Sequence, residues 1–600
     1  MMRGGPTSNY TADGKRIKAN KSVLKPLMKL MKPHAWMLLL CVLCVLLVNT
    51  SDLAKPYVLE IAIDDFLIAG NAQIGLYSLW GLALIYFIVI ATGSLCSLFQ
   101  QRIMARICQR ILDDLRRKVF RHIHAMPLSD MDKMGSGRLL TRATNDVEEL
   151  NSFYTDVLVG LFRDVFLLIG LTATMLIMDW RLALVSFTVL PLIAIISVAC
   201  RNALRKNFVR MKALIGQING FIAESLSGIR IIQAFNREKE KYAEIFELDR
   251  KYKKTTMFQV LMNSFLRPVM EVITSLAVVL LLLYGFNKVG IAVGAIEVGV
   301  IVAFKSYIEQ FFEPINDLAE KYNNIQSAMV SAERIFTLLD DDSHLEQLDA
   351  PGREEPIVGT VEFDHVWFAY TNEDWVLRDV SFKANPGDKI AFVGATGAGK
   401  TTIISLLSRF YEPQKGRILV DGVDIREWKL GALRSQVGVV LQDVFLFVGS
   451  IADNVRINAP ISDEQVAEAI RLSCAEDFVN SLPGGMHHMV AERGATFSTG
   501  ERQLISFARA IAHDPSILVL DEATANIDSN TEALIQDSIQ KISAGRTSIF
   551  IAHRLSTIRA CDCIYAMENG YIVEAGNHEE LLAKGGLYAR LCNENMGEAE

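Results

Sequence analysis

The sequence predicts a two-part architecture: an all-α half with six membrane-crossing helices, then an α/β domain built around a phosphate-binding loop. Three observations carry this reading. Apolar runs of spanning length cluster in the first half of the 600 residues and end near residue 312. Beyond residue 358, short β-branched strands alternate with helical stretches, as in an α/β domain. In that half the apolar run from Lys389 to Val393 leads directly into Gly394, Ala395, Thr396, Gly397, Ala398, Gly399, Lys400, Thr401 and Thr402.

The apolar runs fall at about 36–60, 74–98, 157–178, 182–200, 260–286 and 291–312. Each approaches or exceeds the ~20 residues that cross about 30 Å of hydrocarbon. A 51% hydrophobic composition and a mean hydropathy of +0.25 agree with a membrane protein. Residues 1–32 form a basic arm with no early apolar core or cleavage site, so no signal peptide is expected. The arm and the connections at 101–150 and 201–254 are rich in Lys and Arg, whereas those near Asp64, Asp179 and Asn287 are not. The positive-inside rule then places both termini in the cytoplasm.

The basic connections carry helical periodicity, so the spans are expected to continue into the cytosol. Residues 129–138 and the stretch around 216–222 are read as the turns where these long helices reverse. The transmembrane domain is drawn at 33–325, a helical extension and charged linker at 326–357, and the nucleotide-binding domain at 358–600. A net charge of −7 gives no signature of a nucleic-acid partner. The nine cysteines are scattered, several within apolar runs, and Cys561 and Cys563 are too close for a zinc knuckle. No disulfide framework or structural metal is expected.

The chemistry starts at the glycine-rich loop. Its glycines let successive N–H groups face phosphate oxygens, Lys400 reaches the β- and γ-phosphates, and the Thr401 hydroxyl can ligate Mg²⁺. The following helix, read as 400–410, adds its unpaired N-terminal donors. Residues 517–522 read as a buried strand ending in two carboxylates. Asp521 suits the Mg²⁺ shell, and Glu522 can polarise an attacking water.

With these motifs in place, residues 358–598 resemble the nucleotide-binding domain of an ATP-binding cassette (ABC) transporter. The six spans resemble the exporter-type membrane domain fused to it. The resemblance implies ATP and Mg²⁺ as cofactors and assigns further roles. Tyr370 stacks on adenine, Gln442 is the Q-loop glutamine that touches Mg²⁺, His553 is the switch histidine at the γ-phosphate, and Asp528 is the D-loop aspartate. Residues 491–494 resemble the X-loop of exporters. The catalytic set is Glu522, His553 and Gln442; the metal set is Thr401, Gln442 and Asp521.

One motif departs from the family pattern. In place of Leu-Ser-Gly-Gly-Gln the chain has Phe497, Ser498, Thr499, Gly500 and Glu501. In the family this segment completes the ATP site of the opposite subunit by aiming a helix N-terminus at the γ-phosphate. Glu501 places a carboxylate there, and Thr499 adds bulk. Two readings stand open: tolerated variation, or an asymmetric heterodimer in which this subunit keeps the catalytic glutamate and carries the weakened signature.

The resemblance implies a half-transporter that pairs with a second half-transporter, a heterodimer being favoured over a homodimer. It would sit as a multi-pass protein among the lipids of a bacterial cytoplasmic membrane and export amphipathic drugs or lipids. Import through an exporter-type fold and an ATP-gated regulator are the alternatives. Within the spans, Arg163 with Asp164 and Arg267 with Glu271 should face the bundle interior, water or one another. Asn49, Asp52 and Lys55 are read as lining an external vestibule.

Overall fold

The structure is a computed structural model describing residues 23–68, 78–289, 298–340, 345, 350–371, 373–521, 529–551 and 555–597. It divides into two units, residues 1–123 with 136–342, and 124–135 with 343–600.

The chain up to residue 340 is helical throughout its described length: α1 (Leu24–Met31), α2 (Ala35–Ala62), α3 (Leu79–Ala125), α4 (Leu128–Met134), α5 (Ser136–Thr141), α6 (Val147–Ser152), α7 (Val159–Met178), α8 (Trp180–Phe187), α9 (Leu190–Ser227), α10 (Ile229–Ala234), α11 (Glu238–Val289) and α12 (Val298–Leu339). π-helical turns at Arg142–Asp146 and Phe153–Leu158 join α5, α6 and α7. Asp179 separates α7 from α8 by capping the second helix, accepting from the Arg181 and Leu182 amides at 2.7 and 3.1 Å, an ordinary N-cap arrangement. Pro191 sits in the first turn of α9, where its missing N–H costs nothing. Among the described residues, 24–65, 79–125 and 136–178 form helices long and apolar enough to cross a membrane.

Leu171, Met175, Leu182, Ala277, Leu281, Phe304 and Tyr307 form part of the core shared by α7, α8, α11 and α12. Charged side chains of α7 and α12 pair with partners on neighbouring turns and helices. Lys321 Nζ lies 2.5 Å from Asp164 and 3.4 Å from Asp317, and Arg163 lies 3.8 Å from Asp52. Arg163 and Asp164 thus pair with other helices rather than with one another. Asn49 departs from its vestibule reading: it is buried, and its amide donates to the Arg163 carbonyl at 3.0 Å. The side chain of Arg267 lies outside the described residues.

One turn falls elsewhere than expected. Helix α9 runs straight through Gly216 and Gly220, and the chain reverses instead at α10, between Gly228 and Asn236. A Cβ added at either glycine would find no atom within 4 Å. A glycine in an exposed helix costs about 1 kcal/mol and does not stop it. Asn236 has φ 53°, a left-handed conformation that asparagine tolerates, and this ends the reversal.

The second unit holds β1 (Val361–Ala369), β2 (Trp375–Ala384), β3 (Lys389–Val393), α13 (Lys400–Leu407), β4 (Lys415–Val420), β5 (Val423–Asp424), α14 (Leu430–Gln436), β6 (Val437–Val440), β7 (Gly449–Ser450), α15 (Ile451–Arg456), α16 (Asp463–Leu472), α17 (Glu476–Ser481), β8 (Met489–Val490), α18 (Thr499–Ala512), β9 (Ile517–Asp521), α19 (Ser529–Ser543), β10 (Thr547–Ile551), β11 (Cys563–Glu568) and β12 (Tyr571–Gly576). An antiparallel sheet has the order β2-β1-β4-β5, and a six-stranded sheet the order β12-β11-β3-β10-β9-β6. The latter is parallel except for its β11–β12 hairpin. That hairpin turns on Asn569 and Gly570, both at positive φ, as a tight Asn-Gly connection requires. Strands β9 and β10 are buried along their whole length, which explains their uninterrupted apolar character.

Candidate nucleotide site

Strand β3 ends at Val393 and α13 begins at Lys400, so residues 394–399 form the loop between a parallel strand and a helix N-terminus. This is where open α/β sheets bind their ligands. Gly399 has φ 101°, and a Cβ there would lie 2.6 Å from Leu377 Cδ2. Gly397, at φ 87°, has open space beside it. The first glycine meets a packing demand and the second leaves the loop bare for a ligand.

Lys400 is buried, and its Nζ donates to the Gly394 and Ala395 carbonyls at 2.7 and 3.0 Å. The ammonium is thus folded over the loop. Burial lowers its pKa, while the field of Asp521 opposes the shift. Helix α13 is shorter than the expected 400–410: Arg409, at φ 51°, turns the chain out after Leu407. Thr402 is buried in its first turn.

The parallel register brings the second motif to the same edge. Phe392 pairs with Ile551, and Ile551 with Asp521. Asp521 is 7% exposed. Burial raises its pKa, and a hydrogen bond from the Thr401 hydroxyl and the charge of Lys400 oppose the rise. A hydroxyl and a carboxylate in contact beside the phosphate loop form an oxygen-donor pair suited to Mg²⁺, which takes few protein ligands and leaves positions for phosphate oxygens and water. Gln442 lies two residues beyond β6 and is exposed. Glu522, Asp528 and His553 lie outside the described residues.

Tyr370 follows the end of β1. Its hydroxyl is 3.2 Å from Thr402 Oγ1, and its ring stands perpendicular to those of Phe368 and Tyr411 at 4.8 and 5.1 Å. Gln414 clasps the preceding residue from both sides, accepting from Ala369 N at 3.0 Å and donating to Ala369 O at 2.8 Å.

At the altered signature, Ser498 caps α18. Its Oγ accepts from Glu501 N at 3.2 Å, and Glu501 Oε2 accepts from Ser498 N at 2.7 Å. This reciprocal box satisfies two otherwise unpaired donors. Arg502 donates to Phe497 O at 2.7 Å and to Thr499 Oγ1 at 3.2 Å. The polar side chains of this helix start are therefore engaged within the segment itself. Gly500 is buried in the first turn.

Two further residues organise the site without standing out in the sequence. The buried Asn454 side chain accepts from Phe447 N at 2.8 Å and donates to Phe447 O at 2.9 Å, fixing the segment that follows Gln442. Arg509, on α18, donates to Asn454 O at 2.9 Å and Phe445 O at 3.2 Å. The signature helix and the chain after Gln442 are thus tied together. An arginine among Leu504, Ile505, Ala508 and Ile511 on a buried helix face was the available signal.

Residues 38–315 match the family described as the ABC transporter transmembrane region, and residues 377–525 match the ABC transporter family. The uncharacterized ABC transporter ATP-binding protein YfiC of Bacillus subtilis is 37% identical over 96% of this chain and 95% of its own length. A fatty acid ABC transporter ATP-binding/permease protein of Mycobacterium bovis is 38% identical, covering 82% and 78%. An ATP-dependent lipid A-core flippase of Syntrophus aciditrophicus is 33% identical, covering 96% and 95%. A solved bacterial Atm1-family ABC exporter with ATP bound superposes with a TM-score of 0.75 at 29% identity, over 94% of this chain and 98% of that one. With the membrane helices, the phosphate loop and Asp521 in these positions, the chain belongs to the ABC transporter family, as an exporter-type multi-pass membrane protein fused to its own ATPase domain.

Proposed function

We propose that the chain is one half of an exporter that uses ATP to move amphipathic molecules, drugs or lipids, out of the cytoplasm or inner leaflet of a bacterial cytoplasmic membrane. The observation that carries this is the loop 394–402 facing Asp521 in a chain whose first half consists of long apolar helices. Six spans are proposed, with both termini in the cytoplasm. The fatty-acid and lipid A-core relatives support an amphipathic cargo.

In this reading the amides of 394–400 and the Lys400 ammonium hold the triphosphate, and Tyr370 takes the adenine. Thr401, Asp521 and Gln442 would hold Mg²⁺, which supplies charge neutralisation at the phosphates. Glu522 polarises the attacking water, and His553 contacts the γ-phosphate. ATP bound between two such domains favours their closed pairing, and the differential affinity shifts the membrane helices between inward- and outward-facing states.

The Ser498–Glu501 box favours an asymmetric partnership. The Ser498 amide is taken by a carboxylate of the same charge sign as a partner's γ-phosphate, and the Glu501 amide by the Ser498 hydroxyl. The site completed by this signature would bind nucleotide and turn over slowly, while Lys400 and Glu522 work against an intact signature from a different half-transporter. Purification of this chain alone tests it. Low basal ATPase activity that rises when the partner is added is expected; fast, cooperative ATPase from a homodimer would overturn it.

A further inference from the structure

Strand β1 ends at Ala369, so Tyr370 is the first residue beyond the sheet and takes its direction from the backbone just before it. On one side Ala369 pairs with Trp375 of β2. On the other, β4 begins only at Lys415, and the nearby Pro413 has no N–H to offer a ladder. The Gln414 side chain stands in for the missing strand. Its Oε1 accepts from Ala369 N at 3.0 Å, and its Nε2 donates to Ala369 O at 2.8 Å. One side-chain amide thus supplies the donor and the acceptor that a neighbouring backbone would give. Gln414 is itself anchored. Its own N–H donates to Trp367 O at 3.1 Å. The next residue, Lys415, pairs with Trp367 in the sheet and lays its ammonium over the Trp367 and Trp375 rings at 5.4 and 5.2 Å.

We infer that Gln414 is a positioning residue for the base: it fixes the backbone before Tyr370, so that the ring meets adenine in one orientation. The inference rests on the reading of Tyr370 as the adenine platform. A platform left loose would have to be ordered by the ligand at a cost in affinity, and the clasp removes that cost beforehand. The bonds of Gln414 run to β1, whereas the triphosphate is assigned to residues 394–402. Its contribution therefore falls on the base and is absent for a triphosphate that has none.

The test is calorimetric affinity of the full-length protein in lipid nanodiscs for AMP-PNP with Mg²⁺ and for inorganic tripolyphosphate with Mg²⁺, alongside the KM and kcat for ATP. Gln414→Met removes both bonds at similar volume. Gln414→Glu keeps the shape but turns an oxygen towards the Ala369 carbonyl. Each should weaken AMP-PNP about fivefold, the worth of one ordinary hydrogen bond, raise KM by a similar factor and leave kcat and tripolyphosphate affinity unchanged. Tyr370→Ala should lose about tenfold in AMP-PNP affinity, as base–aromatic stacking commands. Adding Gln414→Met to it should cost nothing more, because the two residues act through one contact. Unchanged AMP-PNP affinity in both Gln414 variants, equal weakening of AMP-PNP and tripolyphosphate, or a further loss in the Tyr370→Ala background would each overturn the role of Gln414. Unchanged AMP-PNP affinity in Tyr370→Ala would instead remove the platform reading itself.

Discussion

Ser498 and Glu501 hold each other across the first turn of α18, side chain to backbone in both directions, at 3.2 and 2.7 Å. The box stabilises the chain's own helix, since a carboxylate in the first turn complements its dipole. In the proposed pairing the same carboxylate would face the γ-phosphate of the partner's nucleotide. Glu501→Gln keeps a side chain that can close the box but removes the charge. ATPase activity of the assembled transporter should rise several-fold, with no loss of thermal stability beyond that of a helix-cap change. Unaltered turnover would mean the departure from the family pattern is tolerated variation.

Asp164 and Lys321 form a buried pair, with side chains 8% and 12% exposed. Removing Lys321 strands the Asp164 carboxylate among apolar helices, a change that costs about 3–5 kcal/mol, whereas removing Asp164 leaves Lys321 with Asp317 at 3.4 Å. Lys321→Met should lower the melting temperature markedly in detergent, Asp164→Asn should lower it less, and Asp164→Asn/Lys321→Met together should recover much of the Lys321→Met loss. Additive losses, read by thermal unfolding of the three variants, would show that the two side chains act independently.

The parts of this protein that announce themselves in sequence are those whose signal is local. Strand β3, the glycine loop and α13 follow one another without interruption from Lys389 to Leu407, so period, composition and spacing reinforce one another. The carboxylate end of β9 was legible for the same reason, as an unbroken apolar run closed by acid. The reversal at α10 was not, because Gly216 and Gly220 look like breakers and an exposed helix tolerates them. Gln414 is 45 positions from the residue it clasps, and Tyr411 is 279 from Asp132. Such partners become visible only when the antiparallel sheet and α4 bring them together. The early end of α13 belongs to this group too, since the left-handed Arg409 is held by carbonyls 16 and 19 residues downstream.

Asn454 bridges the chain after Gln442 to α18 through Arg509. Asn454→Leu conserves volume while removing both bonds to the part-buried Phe447 amide and carbonyl, at a cost of about 0.5–1.5 kcal/mol per bond. ATPase activity should fall more than AMP-PNP affinity, because the loop loses its shape while the phosphate loop is untouched. Equal losses in turnover and affinity would place Asn454 in general stability alone.

Burial raises the pKa of Asp521 against its bond from Thr401. A carboxyl whose folded pKa lies above its unfolded value stabilises the fold at low pH, and that contribution is lost as pH rises through the raised value. Without nucleotide, the melting temperature of the unaltered protein should therefore drop over this window relative to Asp521→Asn, which should melt a few degrees higher at neutral pH. Mg²⁺ with AMP-PNP should reverse the order. Parallel melting curves across pH for the two proteins would contradict the assignment.

The most direct measurement is ATP-driven uptake of fluorescent amphipathic probes, drug-like and lipid, into inside-out vesicles carrying this chain with its partner, comparing the unaltered protein with Lys400→Ala and Glu522→Gln. The account predicts ATP-dependent uptake in the first and uptake at the no-ATP background in both variants, with the proteins present in the membrane at equal amounts. Full-speed uptake by either variant would contradict it.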